Sequence, residues 1–137
     1  MHIPIPLLPF RVDPPMRTAA TLCGILTMTA PLLAAPPVDY LQQIRPIFRD
    51  HCYECHGPKK QESGLRLDKR QEALAGGNTG PAIVPGDTTS GLLLKFIQTE
   101  DPEQVMPPKG DRLTAKQIEL IQQWIKNDAP WPEYEAD

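Results

Sequence analysis

The sequence predicts an all-α domain of three or four helices joined by long loops, and two observations lead to this fold class. Apolar residues recur every third or fourth position in the segments that begin near residues 40 and 115, as they do along one face of a helix. The chain also has 17 prolines among 137 residues, more than twice the usual share of about 5%. Because proline interrupts helices, we expect short helices separated by irregular connections rather than a regular bundle.

The first predicted helix follows Asp39, whose side chain can cap it. Pro46 either kinks this helix or marks its true start, because proline fits the first turn of a helix and disrupts later turns. Four apolar residues at helical spacing form its buried face: Leu41, Ile44, Ile47 and Phe48. The helix leads directly into Cys52, Cys55 and His56.

Three further helices are predicted downstream. One or two turns over residues 69–75 are stopped by a pair of glycines, and another short helix begins at Ser90. The last helix starts at Thr114, which forms a capping-box pattern with Gln117 three residues later. Its apolar stripe consists of Ile118, Ile121, Trp124 and Ile125.

The first 35 residues are predicted to be a secretory signal peptide, which leaves residues 36–137 as the folded domain. Charge in the leader is confined to Arg11, Asp13 and Arg17, and residues 18–38 are uncharged. A cationic start, an apolar middle and small residues at the end are typical of a secretory signal. Translation from Met16 would give a tidier leader, and we expect cleavage near Ala34 or Ala35.

An uncleaved membrane anchor is the alternative for this segment, because about 20 apolar residues can span a bilayer. Pro31 and several threonines argue against it. We therefore expect an exported, periplasmic protein that meets a membrane only if the leader is retained. Cys23 is expected to be lost with the leader.

The charge pattern excludes one large class of function. Fourteen basic and 17 acidic residues give a formal net charge of −3, and the chain has no basic block. Binding to nucleic acid through counterion release therefore has no driving force. The carboxylates are scattered along the sequence and form no catalytic pair. Ser63 and Ser90 have no histidine available as a general base, so we expect no catalytic residues.

Cys52, Cys55 and His56 form a C-x-x-C-H motif, which is typical of covalent c-type haem attachment. On a helix these positions share one face, so that both thiols and the imidazole project in the same direction. The two sulfurs can bond the vinyl carbons of the porphyrin while His56 reaches the iron as proximal ligand. This motif predicts one covalently bound haem c.

A zinc site and a thiol redox pair are the alternative uses of the motif. A structural zinc site needs four ligands, and the predicted domain offers only His51 beyond the motif. A thiol redox pair usually lies at a strand-to-helix junction within an alternating β/α pattern, which this sequence lacks. Both uses remain alternatives.

Met106 is the predicted distal ligand of the haem iron. The other methionines, Met1, Met16 and Met28, all lie in the leader. His51 precedes His56 by five residues on the proximal helix, so we expect it to miss the opposite face of the haem and to lie on the surface. Pro107 and Pro108 stiffen the loop that presents the thioether. A methionine that merely fills the core remains the alternative.

Several segments of the chain resemble the planctomycete-type cytochrome c domain. In order along the chain they are residues 39–48, Cys-His-Gly-Pro at 55–58, Gly-Leu-Arg-Leu-Asp at 64–68, residues 76–87, Met-Pro-Pro-Lys-Gly at 106–110 and residues 124–132. The resemblance extends over residues 38–132 and implies a cytochrome c-like fold of three to four helices wrapped around one haem. It implies that Cys52, Cys55 and His56 bind the haem and that Met106 is the distal ligand.

These features predict a monohaem c-type cytochrome that carries single electrons between redox partner proteins outside the cytoplasm. Ligation by His and Met raises the haem potential, and filling both axial positions leaves no open site for oxygen or peroxide. The chain is then an electron-transfer protein and not an enzyme, unless Met106 does not ligate the iron. The alternative is a truncated haem module of a larger enzyme system, with an electron-entry, sensory or peroxidase-like role.

Three groups of residues are candidates for the surroundings of the haem. Its apolar wall is assigned to Trp124, Phe48, Leu94 and Ile121, which could equally be ordinary core. Close approach of the backbone is assigned to Gly76, Gly77, Gly80 and Gly86. Lys59 and Lys60 either steer an acidic partner or form a solvated pair.

Overall fold

The computed structural model describes residues 36–132. The predictions of a signal peptide, of a start at Met16 and of a discarded Cys23 concern residues outside this range. Within it the regular secondary structure is helical and no strand is formed, which confirms the all-α fold class. None of the helices in this range has the length and apolar character needed to cross a bilayer.

The first helical stretch carries the C-x-x-C-H motif at its end. It opens with a π-helical turn, Tyr40–Ile44, continues as α1 (Arg45–His51) and, after a break at Cys52, as α2 (Tyr53–His56). The predicted cap is confirmed, because Asp39 Oδ1 accepts the backbone N–H of Gln42 at 2.7 Å. Pro46 lies in the first turn of α1, directly after the π-helical turn, which is a position that proline favours.

The remaining helices are short and separated by loops. A single 3-10 turn, Glu62–Gly64, is followed by α3 (Arg70–Ala75), α4 (Leu92–Gln98) and α5 (Ala115–Lys126). Among residues 36–132, the first stretch together with α3, α4 and α5 gives four helical stretches besides the 3-10 turn, in agreement with the three or four predicted. Helix α3 ends at a glycine in a left-handed conformation, as expected from the pair of glycines that follows it.

The caps of the last two helices had different outcomes. The capping box of α5 is confirmed, with Thr114 and Gln117 each bonding the other's backbone N–H. Helix α4, however, has Gly91 rather than Ser90 at its N-cap. Ser90 instead donates its hydroxyl to Asp87 Oδ2 at 2.6 Å, because the turn that begins at Asp87 holds this side chain away from the helix.

An aromatic cluster joins the first helical stretch to α5. Tyr40 stacks on Trp131 with ring centroids 4.3 Å apart, and Phe48 meets Trp124 edge-on at 5.9 Å. Trp124 Nε1 also donates to the carbonyl of Pro130 at 2.9 Å. Because Phe48 and Trp124 are fully buried, the cluster fixes the helix that ends in the C-x-x-C-H motif.

Candidate functional site

One pocket is lined by all four residues predicted to bind the haem: Cys52, Cys55, His56 and Met106. It holds about 880 Å³ of empty space, counting the part that is open to solvent. Most of the remaining lining is apolar and includes Leu65, Leu67, Leu92, Leu93, Phe96 and Leu113. A large apolar cofactor would be recognised by such a surface.

The break in the helix at Cys52 positions the motif. Cys52 leaves the helical region at φ −123°, while its N–H still donates to the carbonyl of Phe48 at 2.8 Å. Its own carbonyl accepts the N–H of Cys55 at 3.1 Å and of His56 at 2.8 Å, which closes the next turn. The three chemically active side chains therefore reach the same pocket from one short turn.

The two cysteines lie in different surroundings. Cys52 packs against the hydrophobic core, and desolvation by burial raises the pKa of its thiol to about 12. Cys55 lies instead beside the charged pair formed by Lys60 and Glu62. The Cys52 thiol is therefore kept neutral by the protein.

The imidazole of His56 has one nitrogen turned into the protein. Its Nδ1 is buried and has no hydrogen-bond partner within residues 36–132. Since His56 lines the pocket, Nε2 is the ring nitrogen that can reach a bound group. The backbone around it is held by the N–H of Leu67, which donates to the carbonyl of His56 at 2.8 Å.

Glu62 lines the pocket and brings a negative charge that was not predicted from the sequence. The hydrogen bond and the positive charge of Lys60 hold the pKa of Glu62 below its ordinary value, with smaller contributions from His56 and Cys55. Lys60 is exposed and forms an ion pair with Glu62. No sequence motif identifies Glu62 as a pocket residue, because the turn that follows the C-x-x-C-H motif is what brings it to the pocket.

Met106 enters the pocket from the loop after α4. Its backbone N–H donates to the carbonyl of Phe96 at 2.9 Å, so the end of α4 fixes the loop at this point. The side chain is partly buried against the core, and the following Pro107 and Pro108 also line the pocket. The Met106–Pro107 peptide bond is cis.

Leu65 and Leu67 face the pocket from an irregular extended segment. The intervening Arg66 points the other way and donates Nε–H to Asp68 Oδ1 at 2.9 Å. Asp68 is buried, with 7% of its surface exposed, so this charged pair anchors the segment. The alternation brings two leucine side chains into the pocket without a β-strand.

One expectation about the surroundings of the pocket was wrong, and for the proposed wall residues the alternative of ordinary core is confirmed. His51 is not a surface residue, because it is half-buried, lines the pocket and has its Nε2 3.2 Å from Gln117 Nε2. None of the four proposed wall residues lines the pocket, and all four are core residues instead: Trp124, Phe48, Leu94 and Ile121. They pack between the helices, whereas Leu93 and Phe96 of α4 take the wall positions.

Two of the four glycines predicted to approach the haem line the pocket. Gly77 and Gly80 line the pocket, but Gly76 and Gly86 do not. Gly77 is required for a close approach, because a Cβ there would lie 2.5 Å from the carbonyl oxygen of Ser63. This contact joins the 3-10 turn to the loop after α3 at the mouth of the pocket.

The residues present fit a haem c. Two thiols, an imidazole with an accessible nitrogen and a thioether share a largely apolar pocket, as this cofactor requires. Within residues 36–132, no three histidine, cysteine, aspartate or glutamate side chains come together in an arrangement that would hold a metal ion.

Comparison with known proteins gives one match. Residues 52–110 match the family model described as planctomycete cytochrome C, from the first motif cysteine to the glycine after Met-Pro-Pro-Lys. The match is narrower than the resemblance over residues 38–132. No curated protein and no solved structure is significantly similar to the chain.

Proposed function

We propose that the chain is a monohaem c-type cytochrome that carries single electrons outside the cytoplasm, because residues 52–110 match the family model of planctomycete cytochrome C. The family supports a c-type cytochrome with haem c and a part in electron transport. The finer proposal rests on one observation. A single, mostly apolar pocket is lined by Cys52, Cys55, His56 and Met106.

Each of these residues has a distinct role in the proposal. Cys52 and Cys55 supply the thiols for two thioether bonds, Nε2 of His56 is the proximal ligand, and the thioether of Met106 is the distal ligand. Haem c, when bound, supplies a one-electron couple between ferric and ferrous iron. The chain supplies the attachment, the two axial ligands and the surrounding dielectric.

The lining of the pocket favours the reduced state. Leucine and phenylalanine side chains exclude water, and low polarity penalises the additional positive charge of ferric iron. A methionine on the distal side favours the ferrous state further. With both axial positions filled by side chains, exogenous ligands have no free site, so electron transfer is favoured over catalysis.

Export and redox partner proteins are part of the same proposal. The uncharged residues 18–38 after Arg17 support a secretory signal. A periplasmic electron carrier needs a donor and an acceptor, and we assign the orientation of an acidic partner to Lys59 and Lys60, which are exposed and follow the C-x-x-C-H motif.

The proposal is tested by producing the full chain with the haem-maturation machinery. We expect an intact mass equal to the processed chain plus one haem, haem that survives denaturation, and a low-spin visible spectrum. The reduced protein should not bind carbon monoxide at neutral pH. A mass equal to the bare polypeptide would overturn the haem assignment, and full carbon monoxide binding would favour a peroxidase-like or sensory role.

A further inference from the structure

Two histidines line the pocket, and their ring nitrogens are in different states. Nδ1 of His56 is buried and has no hydrogen-bond partner among the described residues. His51, five residues earlier, has Nε2 in contact with the side chain of Gln117. Because an imidazole binds iron through a nitrogen lone pair, both side chains are chemically able to be the ligand. The orientation of the Gln117 side-chain amide distinguishes the two histidines.

The orientation of the Gln117 amide follows from its partners in the capping box. The backbone N–H of Thr114 lies 2.8 Å from Gln117 Oε1. A backbone N–H can only donate, so the atom that faces it is the oxygen. The amide nitrogen of Gln117 therefore faces the other way, where it lies 3.2 Å from Nε2 of His51.

This orientation fixes the tautomer of His51. An amide nitrogen has hydrogens to donate and no lone pair to offer, so His51 Nε2 is the acceptor. In the neutral ring the proton is then on Nδ1. Both nitrogens of His51 are occupied, one by its own proton and the other by a hydrogen bond from Gln117.

We propose that Gln117 is a specificity-determining residue, which occupies the Nε2 lone pair of His51 and so leaves His56 as the imidazole available to the haem iron. The proposal rests on the haem-binding function proposed above. It gives the capping box of α5 a second role, because the same amide that completes the helix cap withholds a competing ligand from the pocket.

The first test is ¹⁵N NMR of the His51 ring in the ferrous, diamagnetic holoprotein. We expect an unprotonated Nε2 and a protonated Nδ1 in the wild type. Gln117→Leu should add the tautomer protonated at Nε2. If the wild type carries its proton on Nε2, or if Gln117→Leu leaves the signals unchanged, the proposal is overturned.

The second test uses the His56→Ala background, in which a released His51 has no competing imidazole. Losing one hydrogen bond of ordinary net strength should raise the low-spin, His51-ligated fraction roughly fivefold in His56→Ala/Gln117→Leu. Adding His51→Leu should remove this gain while leaving the same damage to the cap. An unchanged low-spin fraction, or a gain that persists without His51, would overturn the proposal.

Gln117→Glu is the matched control. A glutamate at this position keeps the capping box, and its carboxylate accepts a hydrogen bond from Nε2–H of His51, whereas the amide of Gln117 donates one to Nε2. Nε2 then carries a hydrogen and still offers no lone pair, so His56→Ala/Gln117→Glu should remain as high-spin as His56→Ala. A low-spin gain here would contradict the proposed role of the lone pair. If the His56→Ala proteins do not retain haem, the NMR comparison alone tests the role of Gln117. A wild-type protein without covalent low-spin haem would contradict the proposed function rather than the role of Gln117.

Discussion

The ring of His56 has one nitrogen buried in the protein and one available to the pocket, so its replacement should separate attachment from ligation. We predict that His56→Ala retains covalent haem through Cys52 and Cys55 but loses the low-spin spectrum. The intact mass and the visible spectrum measure the two effects independently. An unchanged low-spin spectrum would show that another residue is the proximal ligand.

Met106 is held by its backbone to Phe96, while its thioether is the part that the proposed function uses. We predict that Met106→Ala abolishes the weak near-infrared charge-transfer band of the ferric protein, lowers the reduction potential and allows carbon monoxide to bind the ferrous iron. Replacement of a thioether by open coordination removes the preference for the ferrous state, which is the reason for the lower potential.

The control for this variant is a partly buried residue of similar size at the pocket edge. Leu65→Ala removes comparable apolar contact from the wall without removing a ligand. It should keep the near-infrared band. If Met106→Ala also keeps the band, Met106 is a packing residue and the peroxidase-like alternative gains support.

Among the connecting elements, the turn at Asp87 is held by a carboxylate. Asp87 Oδ1 accepts the backbone N–H and the hydroxyl of Thr89, each at 2.7 Å, and Oδ2 accepts the hydroxyl of Ser90. These hydrogen bonds, that of the Ser90 hydroxyl first, hold the pKa of Asp87 well below its ordinary value. The turn therefore depends on the ionised carboxylate.

A pH dependence follows from this direction. Because the folded pKa is lowered, the stabilisation is complete above the unfolded value of about 4 and is lost as the pH falls through the folded value. We predict that Asp87→Asn lowers the thermal midpoint at pH 7 and that the difference from wild type narrows on acidification to about pH 3. Asp50→Asn, at an exposed pair with Arg49, is the control and should change the midpoint little. An equal difference at both pH values would contradict the prediction.

The elements that could be predicted from the sequence are those specified by residues that lie close together along the chain. The cap at Asp39, the box at Thr114 and the C-x-x-C-H spacing each depend on residues within five positions of one another. The wall of the pocket was not predictable in this way. Leu93 and Leu94 are neighbours of the same type in one helix, and only the packing of α4 decides that Leu93 faces the pocket.

The position of His51 shows a second limit. The spacing between His51 and His56 is evident from the sequence, but Gln117, the hydrogen-bond partner of His51, is 66 residues away from it. A hydrogen bond between such distant residues leaves no local signal. The capping-box pattern identified Gln117, and only the fold shows that the free end of its amide reaches the pocket.

For the molecule as a whole, we expect export from the cytoplasm. We predict that the mature protein begins near residues 35–37 and is recovered outside the cytoplasmic membrane, because an uncharged apolar segment followed by small residues is cleaved by signal peptidase. N-terminal sequencing of the purified protein and fractionation of the cells measure both. Membrane-bound protein that retains residues 18–30 would support the anchor instead.

The aromatic cluster has an optical consequence. The chain has two tryptophans, and Trp124 and Trp131 both lie within it, with ring centroids 5.6 Å apart. Haem absorbs light where tryptophan emits, so a haem in the adjoining pocket would quench the fluorescence of both rings by energy transfer while the protein is folded. Unfolding separates the rings from the pocket and restores their emission. Intrinsic fluorescence would therefore report the integrity of the packing around the haem without any added dye.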